Sequence, residues 1–442
     1  MRFILYIVAL LGSTQLFAQA FSDSTFMDVG VQQPRSEVIV YDRAYVSEGQ
    51  KVSSSRYVTH IDDWSHAFDN QRVFNSKFSR PFLWIGRRVF LRVRSASAPY
   101  TLSVNGVEVG RVMNCTSMAE FDISKATKEG RNTVTIILDK SSEVEHVEGW
   151  AKGSKPELGD VYVVSQPTQM IRDIAVSTTI LSEELQAEFK VVVKCHALGE
   201  RTSTIYYNLY DEDGKLVSFA NKNITLNMRG EDTISFFAKI PKSNGWSSES
   251  PKLYTLKLKT LYEGRYLELH NYKVGIRSVE VDAQSAEMKI NGERVTLTAK
   301  KVGAEFGAAD IDALKAQGYN TIRVEAGCVN KELYDAADQK GLYIISPMPI
   351  NSSKGEAEIT KGGNPSNNPR WWGAYMQRVE SGYHTVQMHP SVVGFSLADS
   401  SLNGYNLYEG YLRLKSKGDS RPVIYFEGGG EWNSDKLLID IK

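Results

Sequence analysis

The chain has 442 residues, 42% hydrophobic and 24% charged, with 52 Lys+Arg against 52 Asp+Glu. These are ordinary globular values, and the length implies about two to four domains. The zero net charge leaves no basic stripe for nucleic acid and no acidic tail for disorder.

Residues 1–20 have the pattern of a secretory signal. Arg2 supplies the charge, Phe3 to Leu16 the apolar run, and Ala18-Gln19-Ala20 the small-residue cleavage site. Nothing later is apolar enough to read as a membrane span. The expectation is an exported protein (periplasmic, cell-surface or extracellular) that starts at Phe21 after cleavage at Ala20. Cys115, Cys195 and Cys328 are widely spaced and read as free thiols. No Cys-x-x-Cys or His-Glu-x-x-His pattern occurs, so no metal and no cofactor is expected.

Residues from about 30 to 280 read as all-β. Val89, Leu91 and Val93 alternate with Arg88, Arg92 and Arg94, the two-residue period of a half-buried strand. Asn105-Gly106 between two β-rich runs is a hairpin signal. A second set of strands begins near Ile171, with turns at Asp213-Gly214 and Glu263-Gly264, the spacing of an immunoglobulin-like sandwich. After Asn291-Gly292 the grammar changes to alternating strands and helices. Helices are predicted over Ala309 to Gln317 and Lys331 to Gln339, one opening at Pro369 behind an Asn368 cap, and another over Tyr405 to Lys417. Strands are predicted at Thr321 to Val324, Leu342 to Ile345, Val392 to Leu397, Pro422 to Phe426 and Leu437 to Ile441. Alternation of this kind implies a parallel sheet or barrel.

Specific motifs then line up in order. Phe121-Asp122-Ile123 leads to Gly130 and Asn132; Trp246-Ser247-Ser248-Glu249-Ser250-Pro251-Lys252-Leu253-Tyr254 leads to Val274-Gly275-Ile276-Arg277. Tyr319-Asn320-Thr321-Ile322-Arg323, His389-Pro390-Ser391-Val392-Val393-Gly394-Phe395-Ser396-Leu397-Ala398-Asp399-Ser400-Ser401 and Arg421-Pro422-Val423-Ile424-Tyr425 complete the set. Together these resemble glycoside hydrolase family 2, β-galactosidase type, from about residue 80 to 440. The resemblance implies a jelly-roll sugar-binding-like domain over 21–170, an immunoglobulin-like β-sandwich over 171–284, and an incomplete TIM-type (β/α) barrel of five to six strands over 285–442.

The family hydrolyses β-glycosides with retention, using one carboxyl as acid/base and a second as nucleophile about 5 Å away at the barrel mouth. By this resemblance the acid/base position is Ser400, and a hydroxyl in place of a tuned carboxyl costs roughly 10²- to 10⁴-fold in rate. The Asn that precedes the acid is here Asp399. The Asp-Glu ending the third strand is Ser346-Pro347, the magnesium ligands fall on Asn351 and Ser353, and the sugar-facing His falls on Ala326. The family's nucleophile strand is the seventh, and Lys442 stands at or just before a sixth.

No intact catalytic set is therefore expected. Asp399, Glu427 and Glu325 are the candidates for acid/base work, against the simpler reading of salt-bridged carboxylates such as Glu325 near Arg323. Glu148, Trp150, Asp399 and Trp371 are the candidate sugar contacts, with Trp371 read first as helix-start packing. Three functions stand open. The leading one is an exported relative that no longer hydrolyses glycosides and acts in carbohydrate binding or envelope assembly. The second is an active retaining glycosidase with a rearranged carboxylate pair. The third is a structural protein or oligomer that docks through an open barrel edge.

Overall fold

The computed structural model describes residues 23–37, 39–41, 55–67, 70–139, 146–149, 156–353, 364–428 and 433–441. The expected signal segment and Trp150 lie outside the described residues. Among the described residues no helix is long and apolar enough to cross a membrane.

The first region is a sandwich of a four-stranded and a five-stranded sheet, with strands between Val58 and Gln166. Alternating residues supply its core: Val89, Leu91 and Val93 face Leu102, Val104, Val134 and Ile136 around a fully buried Trp84. The predicted hairpin is present, with Asn105 at φ 51° and Gly106 at φ 78°. Both angles are the left-handed values that a two-residue loop between twisted strands requires.

The second sandwich sets a three-stranded sheet (Gln169–Leu181, Glu184–Cys195, Glu231–Pro241) against a four-stranded one (Leu216–Leu226, Arg201–Tyr210, Tyr254–Tyr262, Arg265–Val274). Tyr207 bridges the layers, stacked on Phe236 at 5.1 Å and tilted against Phe189 at 5.3 Å. Cys115, Cys195 and Cys328 are all free thiols, the first two buried.

The third region carries six parallel strands: β1 (Leu297–Val302), β2 (Thr321–Val324), β3 (Tyr343–Pro347), β4 (Val392–Ser396), β5 (Val423–Ile424) and β6 (Ile439–Ile441). Helices α1 (Ile311–Ala316), α2 (Lys331–Lys340), α3 (Trp372–Val386) and α4 (Tyr405–Lys415) run between them. Asn368 caps as predicted, but only a turn of 3₁₀ helix over Pro369–Trp371; α3 begins at Trp372.

The spatial order is β5-β4-β3-β2-β1-β6, with β5 and β6 at the two ends and not paired with each other. Beyond β5 the chain turns back along that strand. The Asp435 amide donates to the Val423 carbonyl at 2.8 Å, the Val423 amide to the Asp435 carboxylate at 2.8 Å, and the Tyr425 amide to the Ser434 hydroxyl at 2.9 Å. The chain then crosses to the far side, where Leu297, Thr298 and Ala299 of β1 pair with Ile439, Asp440 and Ile441 of β6. One C-terminal segment thus occupies both exposed edges. Unpaired strand edges leave amides and carbonyls without partners, which is the physical reason for such cover.

The second sandwich docks onto the N-terminal end of this barrel through the recognised motifs. Trp246 is fully buried, and its indole N–H donates to the Asp338 carbonyl at 2.8 Å. The Ser248 hydroxyl donates to the Gly341 carbonyl at 2.6 Å. Gly341 closes α2 at φ 70°, and a Cβ there would stand 2.1 Å from the Ser248 carbonyl oxygen, so only glycine fits. Arg277 donates to the carbonyls of Pro390 and Val392. Burial pulls its guanidinium down to about 9, and the like charge of Arg421 adds to the effect.

Candidate active site at the barrel mouth

The C-terminal ends of parallel barrel strands are where such folds place their chemistry. Here those ends present Glu325 after β2, Pro347 on β3, Asp399 and Ser400 after β4, and Glu427 after β5. Arg323, on β2, organises the centre. Its Nη2 donates to Asp399 Oδ1 at 2.8 Å and to Glu427 Oε1 at 3.3 Å. The guanidinium carbon lies 3.7 Å from the centroid of the Phe426 ring, so the cation is stacked as well as ion-paired. The second oxygen of Asp399 accepts from the Ala326 amide at 2.7 Å. Both oxygens of this buried carboxylate are therefore engaged, and neither is free to attack a sugar.

Ser400 is exposed in the loop after β4, at φ 44°. Its neighbour Ser401 is buried and ties the loop together. The Ser401 hydroxyl accepts from the Ser352 amide at 2.9 Å and donates to the Asp399 carbonyl at 2.9 Å. Ser346 is buried too, sharing a hydrogen bond of 2.9 Å with the Tyr334 hydroxyl. Asn351 makes backbone bridges to both Glu148 and Asp399. Loops from the first sandwich, β3 and β4 are thus knit side by side. The Asn351 side-chain oxygen accepts from the Ser353 amide and hydroxyl.

Three sequence expectations need correction here. Glu325 does not pair with Arg323; it pairs with Lys301 at 3.1 Å and is about half exposed, at 45%. Asp399 is held by Arg323 and the Ala326 amide rather than standing free for sugar or proton. Glu148 is fully buried, with Oε1 bound by Arg378 Nε at 3.0 Å and Nη2 at 2.7 Å, while Oε2 accepts from the Cys115 thiol at 3.2 Å. Burial pushes both the Glu148 carboxyl and the Cys115 thiol up, with Arg378 opposing the shift in each. Trp371 is buried and stacked on Phe26 at 3.9 Å with 8° between the planes, so packing is its role. Of the candidates, the structure brings together Asp399 and Glu427, through a cation the sequence reading had assigned to Glu325. A charge on the alternate position of a short strand, aimed at a loop that carries Asp399, was the available signal.

Among the described residues, Asp335, Asp338 and His389 each bring one ligand-type atom within 4.8 Å of the others. Existing bonds account for that grouping. His389 Nδ1 meets Asp338 Oδ2 at 2.6 Å, the Ser391 amide donates to Asp338 Oδ1 at 2.9 Å, and Lys331 pairs with Asp335 at 2.6 Å.

Comparison with known proteins fits this architecture. Residues 169–277 match the glycosyl hydrolases family 2 model, and residues 291–442 match the family 2 TIM barrel domain. A β-galactosidase of Psychromonas ingrahamii is 28% identical over 391 residues, covering 83% of this chain and 37% of that protein. One from Priestia megaterium is 26% identical over 367 residues, covering 78% of this chain and 35% of that protein. In fold, the Bacteroides uniformis β-glucuronidase aligns with a TM-score of 0.65 at 17% identity, over 90% of this chain and 52% of that one. A family 2 member from Bacteroides cellulosilyticus aligns with a TM-score of 0.66 at 15% identity, over 90% and 57%. The chain therefore spans little more than a third of the length of those two curated relatives, at 37% and 35%. Two ordered sandwiches, parallel strands with the family's motifs at their ends, and these matches place the chain in glycoside hydrolase family 2.

Proposed function

We propose that this chain is an exported family 2 protein that does not hydrolyse glycosides and serves carbohydrate metabolism by binding sugar or by assembly at the cell envelope. One observation carries the reading: Arg323 bridges Asp399 and Glu427 beside a serine, Ser400, at the acid/base position. A retaining mechanism needs one carboxyl that can give up a proton and another that can attack. Here the β4 carboxylate is locked, the β5 carboxylate is partly engaged, and Glu325 is held by Lys301. The similar proteins named above include two β-galactosidases and a β-glucuronidase, which sets β-linked hexosides as the sugars to try first. The pattern of Arg2, Phe3 to Leu16 and Ala18-Gln19-Ala20 is the support for export.

The test is a panel of aryl β-galactosides and β-glucuronides. The expected result is no turnover above that of heat-treated protein. Turnover abolished by Glu427→Gln would instead establish the rearranged-carboxylate hydrolase. Calorimetric titration with the same sugars reads the binding half, where a saturable signal lost in Arg323→Ala is expected. Silence with every sugar would leave envelope assembly as the role.

A further inference from the structure

We propose that His384 is a proton-dependent latch holding the immunoglobulin-like sandwich against the barrel. The histidine lies on α3, in the wall of a cavity of about 460 Å³ where all three regions meet. Its Nδ1 faces Asp173 Oδ2 at 3.2 Å, on the first strand of the second sandwich. Its Nε2 faces Glu380 Oε2 at 3.5 Å, one turn back on α3. A neutral imidazole has one N–H, so it can donate to only one of these carboxylates; the imidazolium donates to both. Both carboxylates stand within ion-pair distance, so protonation would let one side chain tie Asp173 to Glu380 across a domain boundary.

The surroundings agree. Glu380 also binds Lys417 at 2.6 Å and Arg413 from α4, so a full complement of charge meets on it. The Tyr383 ring stands edge-on at 5.4 Å. Gln387 Nε2 lies 3.1 Å from Nδ1 and shares its reach among the Ser36 hydroxyl at 2.6 Å, Asp173 Oδ1 at 3.2 Å and the Ile174 carbonyl at 3.3 Å. From segment 35–37 only Ser36 joins the cluster; Arg35 turns to Glu120 and Glu37 to Arg94. Asp173 is the hub. It sits at an irregularity in its strand's register and also accepts from the Ser36 amide at 2.8 Å. The bonds to Asp173 and Glu380 outweigh burial and raise His384 above its ordinary value, while His384 in turn holds Asp173 low. With a raised folded value, the contribution of His384 is complete below the unfolded pKa and lost as pH rises through the folded one. The boundary should loosen on the alkaline side, not the acid side.

Two measurements test this on the whole protein. Histidine-selective NMR should show one imidazole, identified by its absence in His384→Gln, titrating above the ordinary value of about 6.5. Hydrogen exchange of the peptides containing Ser36 and Ile174, corrected for intrinsic rates, should speed up roughly tenfold between about pH 6 and pH 9, as for loss of a charge-assisted hydrogen bond. His384→Gln should exchange fast at both pH values. A His384 that titrates at or below the ordinary value, or exchange at the boundary that does not change with pH in the wild type, would overturn the latch, whether or not the variant folds.

Discussion

The two ends of the barrel carry the same family motifs but treat them differently. At the N-terminal end the main motif side chains are matched to backbone or side-chain partners. Trp246 meets the Asp338 carbonyl, Ser248 the Gly341 carbonyl, Arg277 the loop after Pro390, and His389 meets Asp338. These contacts hold the second sandwich against the barrel. At the C-terminal mouth the charged groups cancel one another: Arg323 against Asp399 and Glu427, Lys301 against Glu325. A working glycosidase keeps carboxylates apart and unequal there, because its acid and its nucleophile need different protonation states. If the proposed function holds, the fold's requirements lie at the docking end, and the mouth is free to change without loss of the fold.

The largest effect that could break this comparison is expected at the buried pair joining the first sandwich to α3. Arg378→Ala leaves the Glu148 carboxylate in a dry site, with both side chains 0% exposed. Urea unfolding should show a loss of about 3–5 kcal/mol; a loss under about 1 kcal/mol would mean that this contact does not hold the domains. A smaller effect is expected at the mouth, where Arg323→Ala strips Asp399 of its cation but leaves it the Ala326 amide. The side chains there are partly open to water, so about 1–2 kcal/mol is expected by the same unfolding measurement, with no gain of glycoside turnover. A cost equal to that of Arg378→Ala would show that the mouth, too, is a structural keystone. The smallest effect belongs to Ser400→Glu. This exposed change should move stability by no more than about 0.5 kcal/mol and should not create hydrolysis, because Asp399 and Glu427 are engaged by Arg323 and Glu325 by Lys301. Turnover of an aryl β-galactoside by this variant would mean that a single substitution separates the chain from activity.

Much of the fold was legible before any coordinates. The Asn105-Gly106 turn, the alternation of Val89, Leu91 and Val93, and the Asn368 cap are local signals, read within a few residues of themselves. The acid/base serine was equally legible, because position 400 follows directly from a motif frame. The partners were not. Whether Glu325 or Asp399 takes Arg323 depends on the side chains' reach past β3, between elements far apart in sequence, and 76 residues separate Arg323 from Asp399. Glu148 was read as facing a sugar because its partner, Arg378, stands 230 residues away on a helix.

By itself the sequence determined the class of each region and the order of strands and helices, since these rest on local periodicity, turn chemistry and motif frame. Only the tertiary structure decided which charges neutralise which, that Trp371 packs on Phe26, and that the segment from Ser434 to Ile441 covers β5 and then β1. Those outcomes are set by burial and long-range pairing. A buried charge or an open strand edge must find a partner somewhere, and the chain's path in space fixes which one lies within reach.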